Sequence, residues 1–288
     1  MKKKFGIAII VLIFVAIAAG LVLYVVTHDI AVLNPQGAIG KHERDLLVIS
    51  SLLMLIVVVP ALVLTLGIAW KYRATNENAK YTPNWGHSNL AEVIWWGVPC
   101  IIIIFLAIIT YKTTHELNPF TPLKSDKKPI EIQVVALDWK WLFILKDQGV
   151  AAVNFVQFPE NTPLNFEITA DAPMNSFWIP QLGGQIYAMP AMRTKLHLIA
   201  NAQGVFRGCS ANISGRGFAG MVFHAKSSTQ EEFDQWVENT RQSQNLLTFD
   251  EYEKIAEPST YDPVKTYKLV DMNLFDQIVE KYTKPAGK

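Results

Sequence analysis

Three uninterrupted apolar runs in the first 111 residues constrain this chain more than any other feature of it. They cover residues 5–26, 46–70 and 93–111. The first follows Lys2, Lys3 and Lys4, the second carries no charge at all, and the third is uncharged with Glu92 just before it. Crossing a hydrocarbon layer takes roughly 20 apolar residues, so each run is long enough. Pro60 and Pro99 fall inside the second and third runs. Membrane helices accept interior proline more often than soluble ones do. The alternative, a helix buried in a soluble core, fits these lengths poorly.

Composition supports a membrane anchor joined to a globular domain. Hydrophobic residues make up 50% of the chain and charged residues only 18%, with a formal net charge of +1. That balance argues against a nucleic-acid partner, and no block of like charge forms a tail. Cys100 lies in an apolar run and Cys209 in the polar half, so a disulfide between them is not expected.

The first run has two readings. A basic start followed by an apolar stretch is also the pattern of a signal peptide, and Ala16-Ile17-Ala18 resembles a weak cleavage site. The run continues through Leu21, Leu23, Tyr24 and Val26, which is long for a signal and favours a retained anchor. Positive charges set the orientation: the N-terminal lysines and the short loop with Lys71, Arg73 and Lys80 belong inside. Three crossings then place everything after Lys112 outside the cytoplasm.

From about residue 130 the pattern changes. Ile130-Glu131-Ile132-Gln133-Val134-Val135 and Leu164-Asn165-Phe166-Glu167-Ile168-Thr169 alternate as half-buried strands do. Further strands are expected at 139–145, 150–156, 195–200 and 221–224, separated by Asp147-Gln148-Gly149, Pro159-Glu160-Asn161, Leu182-Gly183-Gly184 and Ala202-Gln203-Gly204. Such spacing predicts a β-sandwich or Greek-key barrel. Residues 229–284 read as two or three amphipathic helices anchored by Phe233, Trp236, Tyr252 and Phe275.

Several motifs carry a resemblance. Glu92-x-x-Trp95-x-x-x-Pro99, Asp138-Trp139-Lys140-Trp141 and the segment from Asn175 to Gly183 resemble subunit 2 of the haem–copper respiratory oxidases. Trp70-Lys71-Tyr72-Arg73-Ala74, Tyr81-x-Pro83-Asn84-Trp85 and Gln185-Ile186-Tyr187-Ala188-Met189 look like its cytochrome bo-type quinol oxidase branch, and the likeness runs from about residue 31 to 282. The resemblance implies an α-helical membrane hairpin with an N-terminal apolar helix, followed by an all-β cupredoxin-like Greek-key sandwich and a short C-terminal helical extension. The expected segments are a signal or anchor helix at 1–27, the hairpin at 28–113, the outer domain at 114–226 and the extension at 227–288.

Family members that accept electrons from cytochrome c hold a dinuclear copper centre in this domain. Its ligands are an upstream His and the pattern Cys-x-Glu-x-Cys-x-x-x-His-x-x-Met. Aligned on Met221, those positions hold Ser210, Asn212, Ser214 and Phe218, and the upstream His position holds Asn175. Aligned on Cys209 instead, they hold Ala211, Ile213, Gly217 and Gly220. Soft thiolates and imidazoles are what such a centre requires; one thioether remains, and neither register supplies an imidazole or a second thiolate. Cys209 is then expected to pack as a small hydrophobe. His28, His42, His87, His115, His197 and His224 are scattered without ligand spacing.

The resemblance therefore implies no cofactor in this chain and no cytochrome c partner. Haems, the oxygen-reducing copper and bound ubiquinol would belong to a large partner subunit, with smaller membrane subunits and lipid around it. Ubiquinol is favoured over menaquinol only by that likeness. This chain would support assembly and proton uptake. For Glu92 two readings stand side by side: a proton-uptake group at the mouth of a channel in the large subunit, or an interfacial end-cap of its helix. A rival from another class is a membrane-tethered β-sandwich that scaffolds or binds something unrelated to respiration.

Overall fold

The computed structural model describes residues 2–80, 82 and 84–283. Tyr81 and Pro83 of the loop motif, and residue 284 at the end of the expected C-terminal helices, lie outside the described residues. Two compact units make up the chain, one of residues 42–121 and one of residues 1–41 with 122–288.

The helices come first: α1 (Lys2–Thr27), α2 (Ala38–Lys71) and α3 (Asn89–Glu116). Two of them, α2 and α3, are long and apolar enough to cross a membrane. No residue of α3 is buried, and Ile101, Ile103 and Ile104 present more than half their surface outward. Water would penalise that exposure at about 25 cal/mol per Å2 of apolar surface, whereas lipid does not. The helices continue without a break across Pro60 and Pro99. Ser88 caps α3, its hydroxyl oxygen accepting from the Ala91 amide at 3.4 Å.

The other unit is a two-sheet sandwich. Its strands are β1 (Ile130–Leu137), β2 (Lys140–Leu145), β3 (Val150–Val153), β4 (Phe155–Pro159), β5 (Pro163–Ala170), β6 (Asn175–Trp178), β7 (Gln185–Ala188), β8 (Thr194–Ile199), β9 (Gly204–Ser210), β10 (Val222–Ser228), β11 (Leu246–Leu247) and β12 (Lys265–Leu269). The larger sheet runs β11-β12-β3-β2-β1-β5-β8 and the smaller β4-β10-β9-β6-β7. Between them lies an aromatic core in which Trp141, Phe143, Phe166, Phe177 and Phe223 are all buried. The rings of Phe177 and Phe223 stack at 5.1 Å and 10°.

Three helices complete the unit: α4 (Gln230–Arg241), α5 (Phe249–Ala256) and α6 (Leu274–Thr283). Tyr252, Phe275 and Ile278 from α5 and α6 form a second core with Val135, Leu137, Leu142 and Ile144. The large sheet is thus covered on both faces, which is why all six residues of β2 are buried.

The strand expected at 221–224 extends to Ser228, and β6, β7 and β9 lie where none was expected; three further differences have a plain physical cause. The strand read at 139–145 starts one residue later, because Trp139 takes φ 65° in the two-residue turn between β1 and β2. The strand read at 150–156 breaks at Asn154, whose φ of 56° sends β4 into the other sheet. Asn154 holds that break: its Oδ1 accepts from the Trp141 amide at 2.9 Å, and its Nδ2 donates to the Asp262 carbonyl at 3.0 Å. Finally, the segment read as helices alone also contains β11 and β12, with β12 pairing along β3. An unpaired β3 edge would leave backbone groups without partners, and β12 supplies them.

Candidate functional site

The residues at the family's copper-ligand positions converge at one end of the sandwich. Asn175 opens β6 and Ser210 closes β9, two strands that pair antiparallel. The Ser210 hydroxyl donates to Asn175 Oδ1 at 2.9 Å and lies 3.2 Å from the Asn212 carbonyl oxygen. Asn175 Nδ2 donates to the Pro173 carbonyl at 2.8 Å, and Asn212 Nδ2 to the Met174 carbonyl at 2.9 Å. Phe218 begins a short 3-10 turn whose carbonyl accepts from the Met221 amide at 3.0 Å, while Met221 itself is buried. The Ser214 carbonyl accepts from Trp139 Nε1 at 3.2 Å.

The chemistry of that donor set is hard and neutral. The Ser210 hydroxyl and the Asn175 and Asn212 amides bond to one another and to backbone carbonyls, and a single thioether, that of Met221, sits in the apolar core. Copper in an electron-transfer site calls for thiolate and imidazole, so these residues do not fit the centre. Trp139 covers the same segment: a Cβ on Gly217 would press into its ring system. Cys209, on the neighbouring register of β9, is half-buried, and that burial raises its thiol pKa more than the nearby Arg207 lowers it. A thiol held protonated in this way is a weak nucleophile and a weak ligand. Among the described residues no group of three or more His, Cys, Asp and Glu side chains is arranged to hold a metal ion.

Glu92 lies in the first turn of α3, in the other unit. Negative charge there suits the positive end of the helix dipole. Its Oε1 stands 2.6 Å from His87 Nδ1, and both side chains are more than half exposed. Trp85, Trp95 and Trp96 line the small open pocket around the pair. In the sequence His87 counted only as one of six scattered histidines. Its one signal was position, five residues ahead of Glu92 across the Ser88 cap.

A third arrangement had no sequence signal. Asp171, just past β5, has a side chain 3% exposed that receives Lys281 Nζ at 2.9 Å, the Tyr252 hydroxyl at 2.6 Å and the Tyr282 hydroxyl. Lys140, nearly fully buried, donates to the Glu257 carbonyl at 2.9 Å and to Ser259, with Asp262 at 3.6 Å. Both clusters tie the C-terminal extension to the sandwich, and neither faces the Asn175–Ser210 end through any of these bonds.

Comparison with known proteins agrees with this architecture. Residues 125–227 match the family described as cytochrome c oxidase subunit II, periplasmic domain, and residues 241–286 match the COX aromatic rich motif. The cytochrome bo(3) ubiquinol oxidase subunit 2 of Pseudomonas putida is 53% identical over 250 residues, covering 87% of this chain and 80% of that protein. The protein of the same name from Pseudomonas aeruginosa is 50% identical, covering 88% and 77%. Ubiquinol oxidase subunit 2 of Acetobacter aceti is 48% identical, covering 88% and 83%.

Proposed function

This chain belongs to the ubiquinol oxidase subunit 2 family, and from that premise we propose how it divides the work of a respiratory terminal oxidase with its partners. It is a membrane-anchored, non-catalytic subunit of a complex that oxidises ubiquinol and reduces oxygen. Haems, the oxygen-reducing copper and the bound quinol belong to a large partner subunit, with smaller membrane subunits beside it. The membrane is the bacterial inner membrane, and the sandwich stands on its periplasmic side. Residues 1–27, 28–113, 114–226 and 227–288 serve as anchor or signal, hairpin, outer domain and extension.

The observation that carries this division is the closed hydrogen-bond network of Asn175, Ser210 and Asn212 at the copper-ligand positions. A domain with those donors has no relay to offer a protein electron donor. A quinol needs none, because it is lipid-soluble and reaches the large subunit from within the membrane. What remains for the sandwich is assembly and a cap on the partner's outer face, and Trp139 and Trp141 serve packing.

Proton uptake falls to Glu92. The carboxylate sits at the end of α3 that the basic loop places on the cytoplasmic side, where an oxidase collects protons. The tethered-scaffold reading is not favoured: an alignment of 250 residues is longer than everything after the hairpin and must extend into it.

The test is oxygen consumption per haem with saturating quinol in the purified complex. Glu92→Gln keeps the shape and hydrogen bonding of the side chain but cannot take up a proton, so turnover should fall about 10-fold or more at unchanged haem content. Glu92→Asp should retain much of the rate. Equal turnover in wild type and Gln would reduce Glu92 to an end-cap. A tagged chain that purifies without haem bands would overturn the oxidase assignment as a whole.

A further inference from the structure

We propose that His87 is the proton-collecting partner of Glu92, taking protons from bulk water and passing them to the carboxylate. This rests on the reading of Glu92 as the uptake group and adds the residue that feeds it. The geometry points to it in three ways. His87 Nδ1 and Glu92 Oε1 are 2.6 Å apart, a distance at which one proton is shared along a single hydrogen bond. The His87 side chain is 65% exposed, so this chain leaves the outward edge of its ring uncovered. Among the described residues no other titratable side chain lines the pocket around the pair, whose walls are Trp85, Ser88, Trp95, Trp96 and two small residues. The proton therefore has one exchangeable neighbour on each side, water outward and the carboxylate inward.

Backbone chemistry holds the two groups in register. The Ser88 side chain caps α3 through the Ala91 amide, and the Glu92 amide donates to the Ser88 carbonyl at 3.0 Å. These bonds fix the turn between His87 and Glu92, so the pairing does not depend on a loop finding its place.

The step balances without a co-reactant. The imidazolium gives its Nδ1 proton to Glu92 Oε1, leaving a neutral ring and a neutral carboxylic acid. Glu92 then releases that proton inward and returns to the carboxylate. The neutral ring turns toward water, where Nδ1 accepts a proton again, and swings back. Histidine suits this task because its charge change falls nearest neutral pH among the side chains. A bare carboxylate at pH 7 to 8 depends on scarce hydronium ions alone. A histidine antenna keeps a proton stored beside it and lifts that dependence.

The experiment measures quinol-driven oxygen uptake per haem in the intact complex across about pH 5 to 8, the range in which an ordinary histidine changes charge. The variants are His87→Asn, His87→Arg, Glu92→Gln and wild type. Asn keeps a donor toward Oε1 but has no group that gains and loses a proton near neutral pH. Its rate should match wild type at pH 6, fall about threefold or more at pH 8, and recover when imidazole is added to the buffer. Arg keeps the ion pair but cannot give up its proton at these pH values, so it should lose rate as Asn does. Full activity in Arg would assign His87 a purely electrostatic pairing role and overturn the proposal. A wild-type rate in Asn at every pH would overturn it too. In that case slow turnover in Glu92→Gln leaves the Glu92 reading standing, whereas normal turnover in Gln removes both.

Discussion

The Asp171 carboxylate accepts the Tyr252 hydroxyl at 2.6 Å, joining the end of β5 to α5 across 81 residues of sequence. Lys281 and Tyr282 complete the same site from α6. The carboxylate is buried, and each of its oxygens has a donor. This one residue holds two helices of the extension against the sandwich.

Asp171→Ala should therefore loosen the extension. Lys281 is half-exposed and can return to water, but Tyr252 is fully buried and its hydroxyl would lose its acceptor. An orphaned buried hydroxyl costs about 1–3 kcal/mol. Asp171→Asn keeps an acceptor and should cost less. Limited proteolysis of the purified complex checks this: cleavage after residue 241 should accelerate in Ala, moderately in Asn, and equal rates in all three would refute the clamp.

The same pair makes stability fall at alkaline pH. Burial, aided by the bond to Asp171, raises the Tyr252 pKa well above the ordinary phenol range. Above the phenol's ordinary value the unfolded chain gives up this proton while the folded chain keeps it, so the unfolded state binds fewer protons and stability drops as pH rises. Below that value the contribution is fully present. The slope is about 1.4 kcal/mol per pH unit for one such group. Chemical denaturation from about pH 9 to 11 should show a steeper loss in wild type than in Tyr252→Phe, which has no such proton.

Gly208 in β9 lies under the Phe223 ring, and a Cβ at this position would fall inside that ring. Phe223 in turn stacks on Phe177 and cannot retreat without disturbing the core. Gly208→Ala should destabilise the sandwich by about 1–3 kcal/mol through overpacking. Adding Phe223→Leu should restore part of that loss, since it clears the volume the methyl needs. A double variant no more stable than Gly208→Ala would disprove the steric account.

The donor set at the sandwich end predicts a colourless domain. The chain incubated with copper and then dialysed should retain no stoichiometric metal and no strong visible absorption. Hydroxyl and amide ligands do not hold copper against dialysis as thiolate and imidazole do. Stoichiometric, coloured copper would reverse the assignment of Asn175, Ser210, Asn212, Ser214 and Phe218 as non-ligating.

Orientation is open to a direct test. Reporter fusions after Lys80 and at the C-terminus should report opposite sides of the membrane, with Lys80 on the cytoplasmic side. The result does not depend on whether residues 1–27 are retained, because α3 alone lies between the two positions.

The sequence by itself determined the membrane hairpin, because uncharged runs of this length have few alternatives and need no partner to be read. It also determined the chemistry at the sandwich end, since Ser210, Asn212, Ser214 and Phe218 cannot become thiolates or imidazoles however the chain folds. Local patterning reached the alternating start of β1, Ile130-Glu131-Ile132, but not its end. Val134 to Leu137 are buried on both faces because α5 and α6 cover the outer side of the sheet, and alternation vanishes where a strand has no solvent face. Only the tertiary structure decided that Asn154 would break a continuous apolar stretch into strands of two different sheets. Asp171 and its partners were hidden altogether, whereas the contact of His87 with Glu92 left only a five-residue spacing across a helix cap. A hydrogen bond is set by where side chains end in space, and a bond closing over 81 or 110 residues leaves no period or spacing in the sequence to read.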